Sequence, residues 1–114
     1  MYLALVIATM GTLNHSASMD VIHSINQSLF IGVDWVEFVD APFSCMYHNH
    51  SCLGSYSTKW DKYHNCYDSR ILVYGDSFDM KRRVLLHELG HHDDFCNLGL
   101  DNSSEISANK FLNR

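Results

Sequence analysis

Glutamate is scarce in this 114-residue chain, occurring only at Glu37, Glu88 and Glu105. Basic residues are few as well, 8 Lys and Arg against 13 Asp and Glu, and they are spread along the sequence. A chain with a formal charge of -5 and no basic patch is a poor nucleic-acid binder. One Pro and 18% charged residues against 46% hydrophobic ones exclude a disordered chain. No period of about 20–50 residues marks a solenoid. The apolar run from Tyr2 to Leu13 is too short to cross a bilayer, which takes about 20 residues as a helix. The length suits one compact domain over residues 1–114, with no room for a second.

Two residue types are abundant for so small a chain, 8 His and 4 Cys, and both bind metals. Cys45, Cys52, Cys66 and Cys96 suit a disulfide framework if the protein is exported, and unpaired thiols if it is not. Cys45, His48, His50 and Cys52, with His64 and Cys66 following, also offer soft ligands for a second, structural metal, although their spacing fits no zinc module. The N-terminal run followed by Ser16-Ala17-Ser18 has the core and cleavage site of a secretory signal but no basic start. Residues 1–18 are therefore a signal or a first buried element. Asn-x-Ser triplets at Asn14, Asn26, Asn49 and Asn102 matter only on a eukaryotic secretory route.

Met19, Ile22, Ile25 and Leu29 recur at three- and four-residue steps, which predicts an amphipathic helix from Ser18 to Leu29. Phe30 to Val39 reads as a strand ended at Asp40-Ala41-Pro42, and Arg70 to Tyr74 as a second strand closed by Gly75-Asp76. Between them, Ser44 to Ser69 shows neither period and reads as a long functional loop or an irregular hairpin. With Asp76 as N-cap and Asp79 in the first turn, a helix is expected over about Ser77 to Phe95, burying Met80, Val84, Leu85 and Leu89. Gly99 is its natural left-handed stop. A short last helix begins at Asn102-Ser103-Ser104-Glu105.

The chemistry lies in His87-Glu88-Leu89-Gly90-His91, an H-E-x-x-H sequence inside the predicted helix. A spacing of four brings two imidazoles to within about 40° on the helix surface, so His87 and His91 can take neighbouring positions on one Zn2+. Glu88 is rotated off that line and can reach a metal-bound water as general base, later passing the proton to the leaving amine. A catalytic zinc needs a third protein ligand and an open fourth position. His92 points about 100° away and suits a supporting or surface role. Asp94, one turn beyond His91, is a possible ligand, although three ligands along one straight helix cannot easily surround an ion. Asn97 stands where metzincins carry their third ligand and is a poor one. Glu105 lies on a different helix, with Asn109 one turn later to orient a zinc histidine; its plainer role is a capping box with Asn102. Glu105 is the favoured ligand.

His-Glu-Leu-Gly-His followed by Glu105-x-x-Ala108-Asn109-x-Phe111 resembles the gluzincin metallopeptidases, and most specifically the ImmA/IrrE-like family. The resemblance runs from Arg70 to the end of the chain. It implies that His87, His91 and Glu105 bind zinc and that Glu88 is the base. The family usually has an acidic residue where this chain has Ser107, and its last helix normally continues past Phe111. It is an intracellular family, which favours a cytoplasmic setting over the export that a signal in residues 1–18 would bring.

The combined expectation is a single minimal zincin-like α+β domain: a small twisted sheet packed on the H-E-x-x-H helix, with a short C-terminal helix. Its activity would be hydrolysis of peptide bonds in a peptide or protein substrate by a zinc-activated water. The substrate would lie along a sheet edge, for which Arg70 to Tyr74 is the candidate. Tyr63, His64, Tyr67 and Tyr74 are candidate oxyanion donors, with Tyr63 and His64 preferred. The alternative is a noncatalytic secreted binding module stabilised by zinc or disulfides.

Overall fold

Parallel strands need a crossover, and the chain makes its first one at once. In the computed structural model, which describes residues 6–9, 15–44 and 51–112, strand β1 (Val6–Thr9) lies parallel to β2 (Trp35–Val39). Helix α1 (His15–His23) and a 3-10 turn (Gln27–Phe30) run between them. A two-stranded ribbon follows, β3 (Phe43–Ser44) with β4 (Ser51–Cys52). Strands β5 (Gly54–Trp60) and β6 (Cys66–Tyr74) form a hairpin, and β6 returns parallel to β2. The result is a four-stranded mixed sheet in the order β1-β2-β6-β5. Helix α2 (Phe78–His92) continues into a π turn (Asp93–Asn97), and α3 (Glu105–Ala108) into a 3-10 turn (Asn109–Phe111). The class is α+β, and no helix among the described residues is long and apolar enough to cross a membrane.

Alternation decides which face of the sheet is covered. Val36 and Phe38 of β2 and Ile71 and Val73 of β6 are buried, while their neighbours Trp35, Glu37, Arg70 and Leu72 face the other way and stay partly accessible. The buried set meets Val21 and Ile22 of α1, Phe30, and Leu85, Leu86 and Leu89 of α2 in one core. Both long helices therefore pack on one face of the sheet, which seats the H-E-x-x-H segment directly on the strands.

Several sequence expectations are corrected. The first helix ends at His23, where Asn26 starts a 3-10 turn by accepting from the Ser28 N–H, and the strand begins at Trp35 because Gly32 turns the chain at φ 87°. Of the two readings of Ser44 to Ser69, loop or irregular hairpin, the hairpin is the one found: the stretch holds β5, in which Tyr56 and Thr58 point inward and Ser55 and Ser57 outward. Its hairpin is closed by Asp61, whose Oδ1 accepts the backbone N–H groups of Tyr63 at 2.8 Å and Asn65 at 2.9 Å. Past the turn the register shifts at a bulge in which Asp68 takes φ 52°. The edge of the sheet beside α2 is thus β5; the expected edge, Arg70 to Tyr74, is an interior strand between β2 and β5. Ser77 rather than Asp76 caps α2, accepting from Met80 N–H at 3.1 Å, and Ser104 rather than Asn102 caps α3.

Cys66 and Cys96 form a disulfide between the start of β6 and the π turn after α2. Cys52 is disulfide-bonded too, so neither free thiols nor a second metal accounts for these three cysteines. Cys45, His48 and His50 lie outside the described residues. Cross-linking residues 30 apart restricts the unfolded chain by about 3–4 kcal/mol on an entropic model.

Candidate metal centre

Helix α2 supplies His87, Glu88 and His91, and α3 with the turn after it supplies Glu105 and Asn109. What brings the two elements together is Gly90. A Cβ at this position would stand 1.9 Å from the Ala108 carbonyl oxygen, so only glycine lets the α3 backbone lie directly on α2. Its contact is with α3, and it acts on the site by seating Glu105 to one side of the histidines. Lys110 ties the same junction, bonding Asp93 at 2.7 Å and also Asp94.

The rings of His87 and His91 stand perpendicular with centroids 4.9 Å apart. His87 Nδ1 lies 2.7 Å from Asn109 Oδ1, an atom that only accepts, so this ring nitrogen carries the proton. Ser103 donates its hydroxyl to the Asp94 carboxylate and therefore accepts from His91 Nδ1–H at 2.7 Å. Both rings, when neutral, present the lone pair of Nε2 on the other side. Both lone pairs face one carboxylate: His87 Nε2 is 2.8 Å from Glu105 Oε2, and His91 Nε2 is 3.1 Å from Glu105 Oε1. Acceptors converging in this way require a cation between them or protons on the rings. The proton is disfavoured at His91, whose burial holds its pKa below the usual value despite the pull of Glu105.

Glu88 sits deeper. It is 4% exposed, and its Oε2 is buried with no hydrogen-bond partner among the described residues. Burial pushes its carboxyl up to about 7, with His87 opposing the shift and Glu105 adding to it. Gly54 of β5 lies against this side chain, since a Cβ there would come within 3.1 Å of Glu88 Cγ and 2.7 Å of Val84 Cγ1. The donor atoms of His87, Glu88 and His91 fall within 4.8 Å of one another, a group that could hold a metal ion. These three and Glu105 line an open cleft of about 1350 Å³ between β5 and α2.

The remaining candidates are placed elsewhere. Asp94 is fully buried, and its oxygens accept from Ser103, Ser107 and Lys110, away from both Nε2 atoms. His92 is buried rather than on the surface: Nε2–H donates to the Ile31 carbonyl at 2.8 Å, so Nδ1 accepts from the Tyr56 hydroxyl at 2.7 Å. Asn97 pairs with Asp93. None of Tyr63, His64, Tyr67 or Tyr74 lines the cleft, and Tyr63 is 72% exposed; Arg83 and the β5 edge are among the donors that do line it. Sequence reading left β5 undecided between a loop and an irregular hairpin, and missed Ser103. The alternation of Tyr56, Thr58 and Trp60 with small or charged residues was a readable strand signal; Ser103, one serine among many, gave none.

No protein-family model, no curated protein and no solved structure matches this chain.

Proposed function

We propose that this protein is a zinc-dependent metallopeptidase of gluzincin type, with His87, His91 and Glu105 as metal ligands and Glu88 as general base. The observation that carries the reading is the convergence of two imidazole lone pairs and a carboxylate beside a buried glutamate oxygen that lacks a partner. Ligand atoms on a tetrahedron with bonds of about 2.0–2.1 Å stand about 3.3 Å apart. The separations of 2.8 and 3.1 Å are close to that edge. Glu105 approaches both Nε2 atoms at these distances, which favours it over Glu88 as third ligand and leaves Glu88 for proton transfer. Two histidines and one carboxylate leave a fourth position open, the donor set of a catalytic rather than a structural site.

Zinc, when bound, supplies Lewis acidity toward a water and a substrate carbonyl. Asn109 and Ser103 fix the tautomers that aim Nε2 inward. Glu88, with a carboxyl near neutrality, takes a proton from the attacking water as the new C–O bond forms, and delivers it to the amide nitrogen as the C–N bond breaks. An extended peptide is held beside these groups by main-chain hydrogen bonds to the free edge of β5. The disulfide at Cys66–Cys96 favours work in an oxidising compartment, against the cytoplasmic setting that the family resemblance implies.

Metal analysis of the purified protein should give about one zinc per chain, lost in Glu105→Ala. Glu88→Gln should keep zinc yet hydrolyse a peptide mixture about 10²–10⁴-fold more slowly. Absence of stoichiometric zinc from the wild type sinks the reading. Zinc without hydrolysis by the wild type replaces it with a noncatalytic zinc-stabilised module.

A further inference from the structure

The cleft has two unlike ends. Toward the N-terminal half of α2 it is lined by Met80, Arg83 and Val84, with Asp79 beside them. Beyond His91 it is aromatic. Phe95, one turn after His91, stacks on Tyr56 with centroids 6.2 Å apart and planes 12° apart, and meets Trp60 nearly edge-on at 5.6 Å. His64 lies flat against Trp60 at 5.5 Å and 8°. Trp60 remains 38% exposed, although indole is among the most costly side chains to leave in water.

This shelf is held in place from behind. Cys66 is the sheet partner of Trp60, and Cys96 follows Phe95, so the Cys66–Cys96 disulfide joins the two segments that carry the rings. Among the described residues no carboxylate, lysine or arginine belongs to the shelf, whose outer rim is the His64 ring; the Tyr56 hydroxyl, on the core side, is committed to His92. The rings of Tyr56, Trp60 and Phe95 are therefore a rigid aromatic surface that continues directly from a metal-centre histidine along both walls of the cleft.

We propose that Tyr56, Trp60 and Phe95 form the specificity subsite of the peptidase and select an aromatic side chain on the amino-terminal side of the scissile bond. The inference rests on the peptidase reading and adds the substrate class. Its direction follows from the sheet. Gly54 abuts Glu88 while Tyr56 reaches His92 and Phe95, so β5 runs along α2 from the metal centre toward the shelf. A peptide adding antiparallel to β5, the better-bonded arrangement, passes Trp60 first and the metal centre afterwards. A ring seated on Trp60 and Phe95 gains stacking beyond its buried area, which sets the size of the selectivity.

Three measurements test this. Cleavage-site profiling of zinc-loaded wild type on a random peptide library should show Phe, Tyr or Trp enriched before the cleaved bond by about 10-fold or more. Trp60→Ala should bring the ratio of kcat/KM for matched Phe and Ala peptides close to one, while Trp60→Phe keeps most of it. Trp35→Phe, on the opposite face of the sheet, should leave the ratio unchanged. Separately, calorimetric binding to metal-free Glu88→Gln protein should favour the Phe peptide over the Ala peptide by about 10-fold, a preference that Phe95→Ala removes. Equal treatment of the two peptides, or enrichment only after the cleaved bond, overturns the proposal. Aromatic-selective binding without hydrolysis by the wild type keeps the subsite and defeats the peptidase reading.

Discussion

Glu88 and Asp94 are carboxylates on one continuous helical run, both buried, and their surroundings treat them in opposite ways. Burial alone raises the pKa of each. At Asp94 that effect is outweighed by hydrogen bonds from Lys110, Ser103 and Ser107, which together hold the carboxyl below its ordinary value. At Glu88 the opposing pull of His87 does not offset burial: one oxygen has no partner among the described residues, and the carboxyl is pushed up to about 7. The fold can evidently satisfy a buried carboxylate in this region when stability is the only demand. Leaving Glu88 unsatisfied at the wall of a cleft, beside two convergent histidines, is what a proton-transfer role requires and a packing role does not.

The contrast breaks most visibly at Asp94. Asp94→Ala removes the acceptor of two hydroxyls and one ammonium, and should destabilise the protein by about 3–5 kcal/mol, as loss of one partner from a buried pair does. Lys110 keeps its 2.7 Å bond to Asp93, which places the expected value toward the lower end. Urea unfolding measures it. Zinc should still bind at one per chain, because Asp94 is not among the groups around the two Nε2 atoms; loss of stoichiometric zinc here, with retention in Glu105→Ala, would exchange the roles assigned to the two acids.

Glu88 should reveal itself through pH rather than through loss of contacts. Its carboxyl titrates at about 7 in the folded chain against 4.5 as the reference value. Between those values the folded state keeps a proton that the unfolded state has released, so this group lowers stability as pH rises through the window. The effect is absent below the unfolded value and complete above the folded one, about 3 kcal/mol in size. Glu88→Gln mimics the protonated acid. Metal-free wild type and variant should therefore match near about pH 4 and separate toward about pH 8, the variant being the more stable. A constant gap across that range would show that Glu88 is not the group with the raised pKa.

Much of this was legible in the sequence because the signals were local. An i, i+4 pair of histidines on a helix needs no tertiary information, and Glu105 with Asn109 repeats the same spacing on the next element. Strand β6 announced itself through Arg70-Ile71-Leu72-Val73-Tyr74, and Gly99 through the need for a left-handed stop, which it takes at φ 68°. What stayed hidden depended on contacts between distant segments. Gly90 has its role because of Ala108, eighteen positions away, and a glycine in a helix does not say which backbone it admits. Strand β5 was readable in the alternation of Tyr56, Thr58 and Trp60 with Ser55, Ser57 and Lys59, and stayed undecided between loop and hairpin because a turn on Asp61 and a bulge at Asp68 interrupt the pattern. The edge of a sheet is in any case a property of strand order, which no single strand encodes.

Ser103 joins the metal-centre histidines to the Asp94 cluster, accepting from His91 Nδ1–H on one side and donating its hydroxyl to Asp94 on the other. Ser103→Ala leaves His91 Nδ1–H without its acceptor and Asp94 with two donors of three. The stability change should be small, about 1 kcal/mol, because one neutral donor is lost and Lys110 still compensates the charge. Zinc affinity should fall by more than this suggests, about 10-fold or somewhat beyond, since the ring is no longer held in the tautomer that aims Nε2 inward. Ser103→Thr retains the hydroxyl and should restore most of the affinity. If both variants weaken zinc equally while unfolding alike, the serine acts only by filling space, and the polar chain from Asp94 to His91 carries no influence on the metal centre.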